Sequence, residues 1–309
     1  MKTTGDLQPL SYGLWGILAT PFMGPHYELD KESLTRLVHH FESLGAQGVV
    51  ALGVFGEGSA LNSQEQEEVI KTVCSSTNKM KIIVGISERS TSPAIEQTKR
   101  ALESAGKKLS GLMVQVNSPN SATLVEHLTK IYEATNVGIV LQDYPVVSGI
   151  KISTAQILET LSQCPFIIAV KSENPPTAQV IEELTSKTKV PVVGGLGGVG
   201  LIDELHAGAA GAMTGFSYPE GLIEAIEAFS ENGFEGARQA FSKWLPLANF
   251  EAQPGIALAI RKRIYKERGI FRESLVRPPS PQMPKNLEPL MYKHLKIVEN
   301  YVSKSQGGN

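Results

Sequence analysis

The chain is predicted to be an α/β protein, a (β/α)8 TIM barrel followed by additional C-terminal helices. Three observations carry that prediction. Eight short apolar runs alternate with eight longer amphipathic stretches over roughly 220 of the 309 residues, the pattern of parallel strands joined by crossover helices. The runs are apolar almost throughout instead of alternating, so neither face of the sheet is built for water. Eight is also the count that closes a barrel; a doubly wound open sheet is the competing arrangement.

In order, the strand runs are 14–20, 47–54, 81–86, 110–116, 137–142, 166–171, 190–194 and 211–216. The helical segments between them lie near 30–44, 63–76, 92–104, 122–135, 154–162, 176–187, 200–207 and 219–231. Asn62 or Ser63 reads as the N-cap of the second helix, with Gln66 three residues after Ser63. Pro93 after Ser92 reads as a first helical position, and Gly45, Gly106 and Gly233 read as helix stops. Residues 1–233 are therefore assigned to the barrel. Residues 234–302 are expected to form about three more helices, broken at Pro246, Pro254 and Pro278-Pro279 and packed on the barrel, and 303–309 a disordered tail.

Composition narrows the function. The 29 Lys+Arg residues nearly balance 31 Asp+Glu, with no basic cluster to hold nucleic acid or an anionic membrane. No run of about 18 apolar residues occurs, and Met1 to Pro9 is polar without an apolar targeting core, so a cytoplasmic protein is expected. Cys74 and Cys164 lack metal-ligand spacing and read as small buried apolar residues. The histidines form no ligand cluster, and the adjacent His39 and His40 diverge on a helix. No metal or cofactor is expected.

Active sites of such barrels lie at the C-terminal ends of the strands. The sixth run ends at Lys171. Burial there favours the neutral amine, which is a nucleophile toward ketones, so Schiff-base chemistry on a 2-oxo acid is expected. The plain alternative is a lysine that reaches out to solvent. Glu173, two residues on, faces the same way and reads as a general acid–base group or as a simple ion-pair partner. At the end of the fifth run, alternation puts Gln142 and Tyr144 on one face and Asp143 on the other. Tyr144 reads as a proton relay or as a packed ring with a wet hydroxyl. The second run ends Gly53-Val54-Phe55-Gly56-Glu57-Gly58-Ser59, whose glycines let backbone N–H groups approach an anion. Phe55, Gly56 and Ser59 are the candidate carboxylate holders, and Gly194 and Gly195 after the seventh run add backbone contacts around the lysine.

Taken in order, Gly53 to Glu57, Gln142 to Pro145, Lys171, the Gly194 loop and 207–215 resemble the dihydrodipicolinate synthase/N-acetylneuraminate lyase family of class I aldolases. The resemblance runs from about residue 13 to beyond 265. It implies a (β/α)8 barrel, a homodimer or homotetramer, a small-molecule 2-oxo acid substrate and an imine on Lys171. The chain departs from the synthases and lyases of that family. They carry Thr-Thr where it has Val54-Phe55, and a relay tyrosine where it has Gln142. The synthases have an arginine where it has Val147, and a tyrosine lent by a neighbouring subunit is missing from Val116-Asn117-Ser118-Pro119. The chain is more similar to the 2-keto-3-deoxy-sugar-acid dehydratase branch, of the L-2-keto-3-deoxyarabonate dehydratase kind. The shared features are Phe55, Gln142-Asp143-Tyr144-Pro145, Lys171-Ser172-Glu173, Leu205 to Gly215 and Trp244-Leu245-Pro246-Leu247, although the Gly194 to Gly200 loop is shorter and richer in glycine. That likeness implies dehydration of a 2-keto-3-deoxy sugar acid. The alternatives are retro-aldol cleavage to pyruvate and an aldehyde, dihydrodipicolinate synthase activity, which the departures disfavour, and a non-catalytic 2-oxo acid binding protein.

Overall fold

A computed structural model describes residues 7–306; the start of the polar N-terminal segment and the last three tail residues lie outside the described residues. Its strands are β1 (Gly13–Ile17), β2 (Phe22–Met23), β3 (Glu28–Leu29), β4 (Gly48–Ala51), β5 (Lys81–Ile86), β6 (Leu109–Gln115), β7 (Ile139–Asp143), β8 (Ile167–Ser172), β9 (Val192–Gly194) and β10 (Gly211–Thr214). β1 and β4 to β10 are parallel and close into a barrel, β10 pairing with β1. β2 and β3 form a small antiparallel pair that the apolar pattern did not predict. The runs 14–20, 47–54 and 211–216 overreach at their ends: β1 stops at Ile17, β4 at Ala51 and β10 at Thr214. The apolar residues continue beyond those points because Leu18, Ala19, Leu52 and Phe216 are buried in the outer apolar cluster with the helices.

The helices are α1 (Lys31–Ser43), α2 (Ser63–Ser76), α3 (Thr91–Ala105), α4 (Ser121–Thr135), α5 (Pro145–Ser148), α6 (Thr154–Gln163), α7 (Thr177–Thr185), α8 (Leu201–His206), α9 (Pro219–Phe241), α10 (Leu245–Glu251), α11 (Ala257–Glu267) and α12 (Glu288–Gln306). Asn62 caps α2, in a reciprocal box closed by Glu65 and not by Gln66. Gln66 instead donates to the carbonyls of Gly58 and Leu61, bracing the loop before the helix. Ser90 stands at the N-cap of α3, so Pro93 is the third helical residue and not the first. Gly233 kinks α9 with φ 63° and ψ −153°, yet the helix resumes at once, so the expected boundary at 233 falls inside one element. Pro246 lies in the first turn of α10 and starts it, where an imino nitrogen costs no hydrogen bond. α12 runs to Gln306, into the segment expected to be a disordered tail.

Two apolar layers hold the barrel. Trp15, Ile17, Val50, Ile83, Met113, Val140, Ile168, Val193 and Met213 fill its interior. Leu10 plugs the N-terminal end, its N–H donating to Ile168 O at 3.0 Å. The alternate strand residues pack outward on the helices, in a layer that also takes in Ile260, Ile264 and Tyr265 of α11 and Met291, Leu295 and Val298 of α12. The C-terminal helices are therefore part of the core and not an appendage. No helix among the described residues is long and apolar enough to cross a membrane.

Candidate active site

β8 carries Lys171 in register with Gln142 of β7 on one side and Val193 of β9 on the other. Val170 points outward into the helix layer, so Lys171 points inward, above Ile168 and Ala169 at the C-terminal end of the barrel. The Glu173 N–H donates to Asp143 O at 2.8 Å, which extends the strand geometry one residue past β8. Glu173 thereby returns to the face of Lys171. Its Oε2 lies 3.1 Å from Lys171 Nζ, and both side chains are only 6% exposed. The same Oε2 accepts from Gln142 Nε2 at 2.6 Å, and Oε1 accepts from the Leu196 N–H at 3.2 Å. Three donors on three elements thus fix one buried carboxylate beside one buried amine.

The glycines after β9 make that arrangement possible. A Cβ on Gly195 would stand 2.3 Å from Glu173 Oε1, and one on Gly194 would stand 1.8 Å from Glu204 Oε2. Glu204, on α8, is buried with Oε1 held by the Thr177 hydroxyl at 2.6 Å and Oε2 without a partner. Burial pushes its carboxyl up to about 7, with the Thr177 hydrogen bond opposing and the charge of Glu173 adding to the rise. Asp143 faces away from Lys171, and burial raises it to about 6, with Asn174 opposing.

The loop after β4 bends sharply: Leu52 and Glu57 both hold positive φ, 60° and 55°. Strain of this kind persists only where the surroundings impose it. Here Glu57 is fixed by an ion pair to the fully buried Lys262 of α11 and by the Arg277 N–H at 2.8 Å. Lys262 also donates to Leu275 O at 2.9 Å and lies 4.4 Å from the Phe22 ring. Burial lowers Lys262 to about 8, with Glu57 opposing. The glutamate of the Gly53 to Glu57 segment is thus an anchor for the C-terminal helices. The loop leaves the N–H groups of Phe55 and Gly56 without an acceptor among the described residues, while those of Glu57 and Gly58 are bonded within the loop. The Phe55 ring lies against Gly215 and 5.2 Å from the Arg261 guanidinium.

Of the nine residues read as site residues, Lys171, Glu173, Gln142 and Gly195 meet directly, and Gly194 backs them against Glu204. Tyr144 stands at the start of α5, its hydroxyl without a hydrogen bond among the described residues. Burial raises it, Glu173 adds to the rise and Arg261 opposes it, so it lies in the field of the same pair. Ser59 is exposed in the short turn after the Gly53 loop. It lines a cavity of about 190 Å³ that Gln142 also lines. That cavity is also lined by Ser87 and Arg89 after β5 and Gln115 at the end of β6, none of which the sequence reading had singled out. Their signal was positional, since each lies at the C-terminal end of a barrel strand. Arg261 carried no signal: α11 brings it over the site, where Nε binds Glu251 at 3.0 Å and Gly197 leaves room for the guanidinium.

An amine, a carboxylate and an amide are buried together at the C-terminal end of a closed barrel, a set suited to lysine-dependent lyase chemistry. The model of the Dihydrodipicolinate synthetase family matches residues 11–298, and the chain belongs to that family. Its members are class I lyases, and this protein is an enzyme of that class. The chain is 28% identical over 293 residues to the L-2-keto-3-deoxyarabonate dehydratase of Azospirillum brasilense, covering 91% of this chain and 92% of that protein. It is 28% identical to the 4-hydroxy-tetrahydrodipicolinate synthase of Methanothrix thermoacetophila, covering 76% of this chain and 80% of that one. Among solved structures, the dihydrodipicolinate synthase of Rhodopseudomonas palustris superposes with a TM-score of 0.86 at 25% identity, covering 94% of this chain and all of that one.

Proposed function

We propose that the protein dehydrates a 2-keto-3-deoxy sugar acid through an imine on Lys171. The observation that carries this reading is the buried Lys171–Glu173 pair with Gln142 on the same carboxylate oxygen. Glu173 takes a proton from the Lys171 ammonium, and the freed amine adds to the C2 ketone. The protonated Glu173 returns that proton to the C2 hydroxyl, whose departure as water leaves an iminium that acidifies the C3 protons. Glu173 removes one of them, with Tyr144 the alternative base. The enamine electrons then expel the C4 hydroxyl, which departs as water on taking a proton from the acid just formed. Hydrolysis of the imine releases the dehydrated 2-oxo acid and the free lysine. The imine itself is the electron sink, so the chemistry calls on no metal. The free N–H groups of Phe55 and Gly56 are suited to the substrate carboxylate, with Ser59 beyond them and Gly194 and Gly195 shaping the opposite wall.

Dehydration is preferred to synthase chemistry on two grounds. The match to the sugar-acid dehydratase spans 91% of this chain, against 76% for the Methanothrix thermoacetophila synthase and 86% for that of Porphyromonas gingivalis. In addition, Val147 is the residue on the cavity wall at the position where the synthases have their arginine. The test is incubation with a panel of 2-keto-3-deoxy sugar acids, followed by mass analysis of the products. Loss of 18 mass units supports dehydration; release of pyruvate with an aldehyde supports retro-aldol cleavage instead. A protein that binds these acids and converts none is a binding protein. We further propose that it works in the cytoplasm as a homodimer or homotetramer, which light scattering at about 33 kDa would contradict.

A further inference from the structure

We propose that Arg89 selects the substrate by binding an oxyanion, carboxylate or phosphate, at the end of the molecule remote from the 2-oxo group. The proposal rests on the reading of Lys171 only for where that 2-oxo group lies. The cavity of about 190 Å³ is lined by Gln142, whose amide is bonded to Glu173, and by residues at or just past the ends of β4, β5 and β6. We place the remote end of a substrate held at Lys171 there. Its walls are largely apolar, with Leu52, Ile86, Met113 and Val147 among them, and no carboxylate lines it. Arg89 is the one charged residue on the lining.

Arg89, itself exposed, differs from the buried and half-buried cations at this end of the barrel. Lys171 is paired with Glu173, Arg261 with Glu251, Lys262 with Glu57 and Arg277 with Glu65. The Arg89 guanidinium makes no hydrogen bond, ion pair or ring contact with a described residue, while its backbone is firmly held. The N–H groups of Ser87 and Glu88 both donate to Gln97 Oε1 at 3.0 Å, and Asn117 Nδ2 donates to Arg89 O at 3.0 Å. Gln97 is itself buried, its amide donating to Ser87 Oγ at 3.1 Å and to Gln66 Oε1 at 3.2 Å. A fixed backbone with an uncommitted guanidinium beside an apolar cavity is a built half of a fork-on-oxyanion contact.

Calorimetric titration of the full-length protein tests this with two matched pairs of ligands. The first pair is 2-oxoadipate and 2-oxohexanoate, which share a chain and differ in the distal carboxylate. The second is a 6-phosphorylated 2-keto-3-deoxy sugar acid and its unphosphorylated form. The wild type is expected to bind the charged member of at least one pair about tenfold more tightly, and the favoured pair distinguishes carboxylate from phosphate. Arg89→Met should erase that preference and leave borohydride trapping of pyruvate on Lys171 unchanged. Equal affinities within both pairs, or a preference that survives in Arg89→Met, would overturn the assignment. Failure to trap pyruvate in either protein would count against the imine reading alone, because the affinity comparison does not depend on imine formation.

Discussion

Gln142 and Glu173 share a buried 2.6 Å hydrogen bond, made to the same carboxylate oxygen that lies 3.1 Å from Lys171. The amide donor therefore fixes which oxygen the lysine faces. Glu173→Gln keeps the size of the side chain and removes the base. Dehydration is expected to slow by about 10²- to 10⁴-fold, the usual contribution of a positioned acid–base group. Trapping of pyruvate on Lys171 should also slow in this variant, because Glu173 frees the amine. Trapping at the wild-type rate would confine Glu173 to the C3 proton step.

Gly195 is where a methyl group would do local damage. A Cβ there falls 2.3 Å from Glu173 Oε1, so Gly195→Ala has to push the carboxylate off its three donors. The expected outcome is a folded protein whose turnover falls at least tenfold, as misplacing a reacting group by about an ångström does. Circular dichroism with steady-state kinetics checks both parts. Full activity would mean that the carboxylate position is not critical.

Lys262→Met should cost stability. It strips the counter-charge from the buried Glu57 carboxylate, and breaking such a pair costs about 3–5 kcal/mol. Denaturant midpoints measure the loss. The double variant Glu57→Gln, Lys262→Met should recover part of it, since no unpaired charge then remains.

Glu204 makes stability depend on pH. Its folded carboxyl titrates near 7 because burial disfavours the ionised form, against an ordinary 4.5. Below about 4.5 the group is protonated in both states and the fold keeps its full advantage from the neutral carboxyl. As pH rises from about 4.5 to 7 that advantage is lost, by about 3 kcal/mol at most. Glu204→Gln should therefore gain on the wild type across that window and hold a constant margin above it. Unfolding midpoints at pH 4, 6 and 8 give the curve. A margin independent of pH would show that the carboxyl is not ionising there.

The barrel was legible because its strands are apolar on both faces and its helices carry caps and stops. The return of Glu173 to the face of Lys171 followed from two-residue alternation alone; the register of Gln142 with Lys171 is a property of the folded sheet. Four other features were not legible. Gly233 has the conformation of a stop, but the chain continues helically beyond it. Arg261 reaches the site from α11, and no local pattern announces where an added helix will dock. The position of Arg89 past the end of a strand could be read, but its lack of an ion pair among the described residues is a property of the fold. Glu57, part of the glycine-rich segment, proved to be an anchor for Lys262, a pairing between residues far apart in sequence.

The measurement that tests the central claim most directly is borohydride reduction of the wild-type protein with pyruvate, read by intact and peptide mass. The account predicts one reduced adduct, on Lys171, that disappears in Lys171→Ala. An unmodified protein, or an adduct on another lysine with Lys171 untouched, would contradict it.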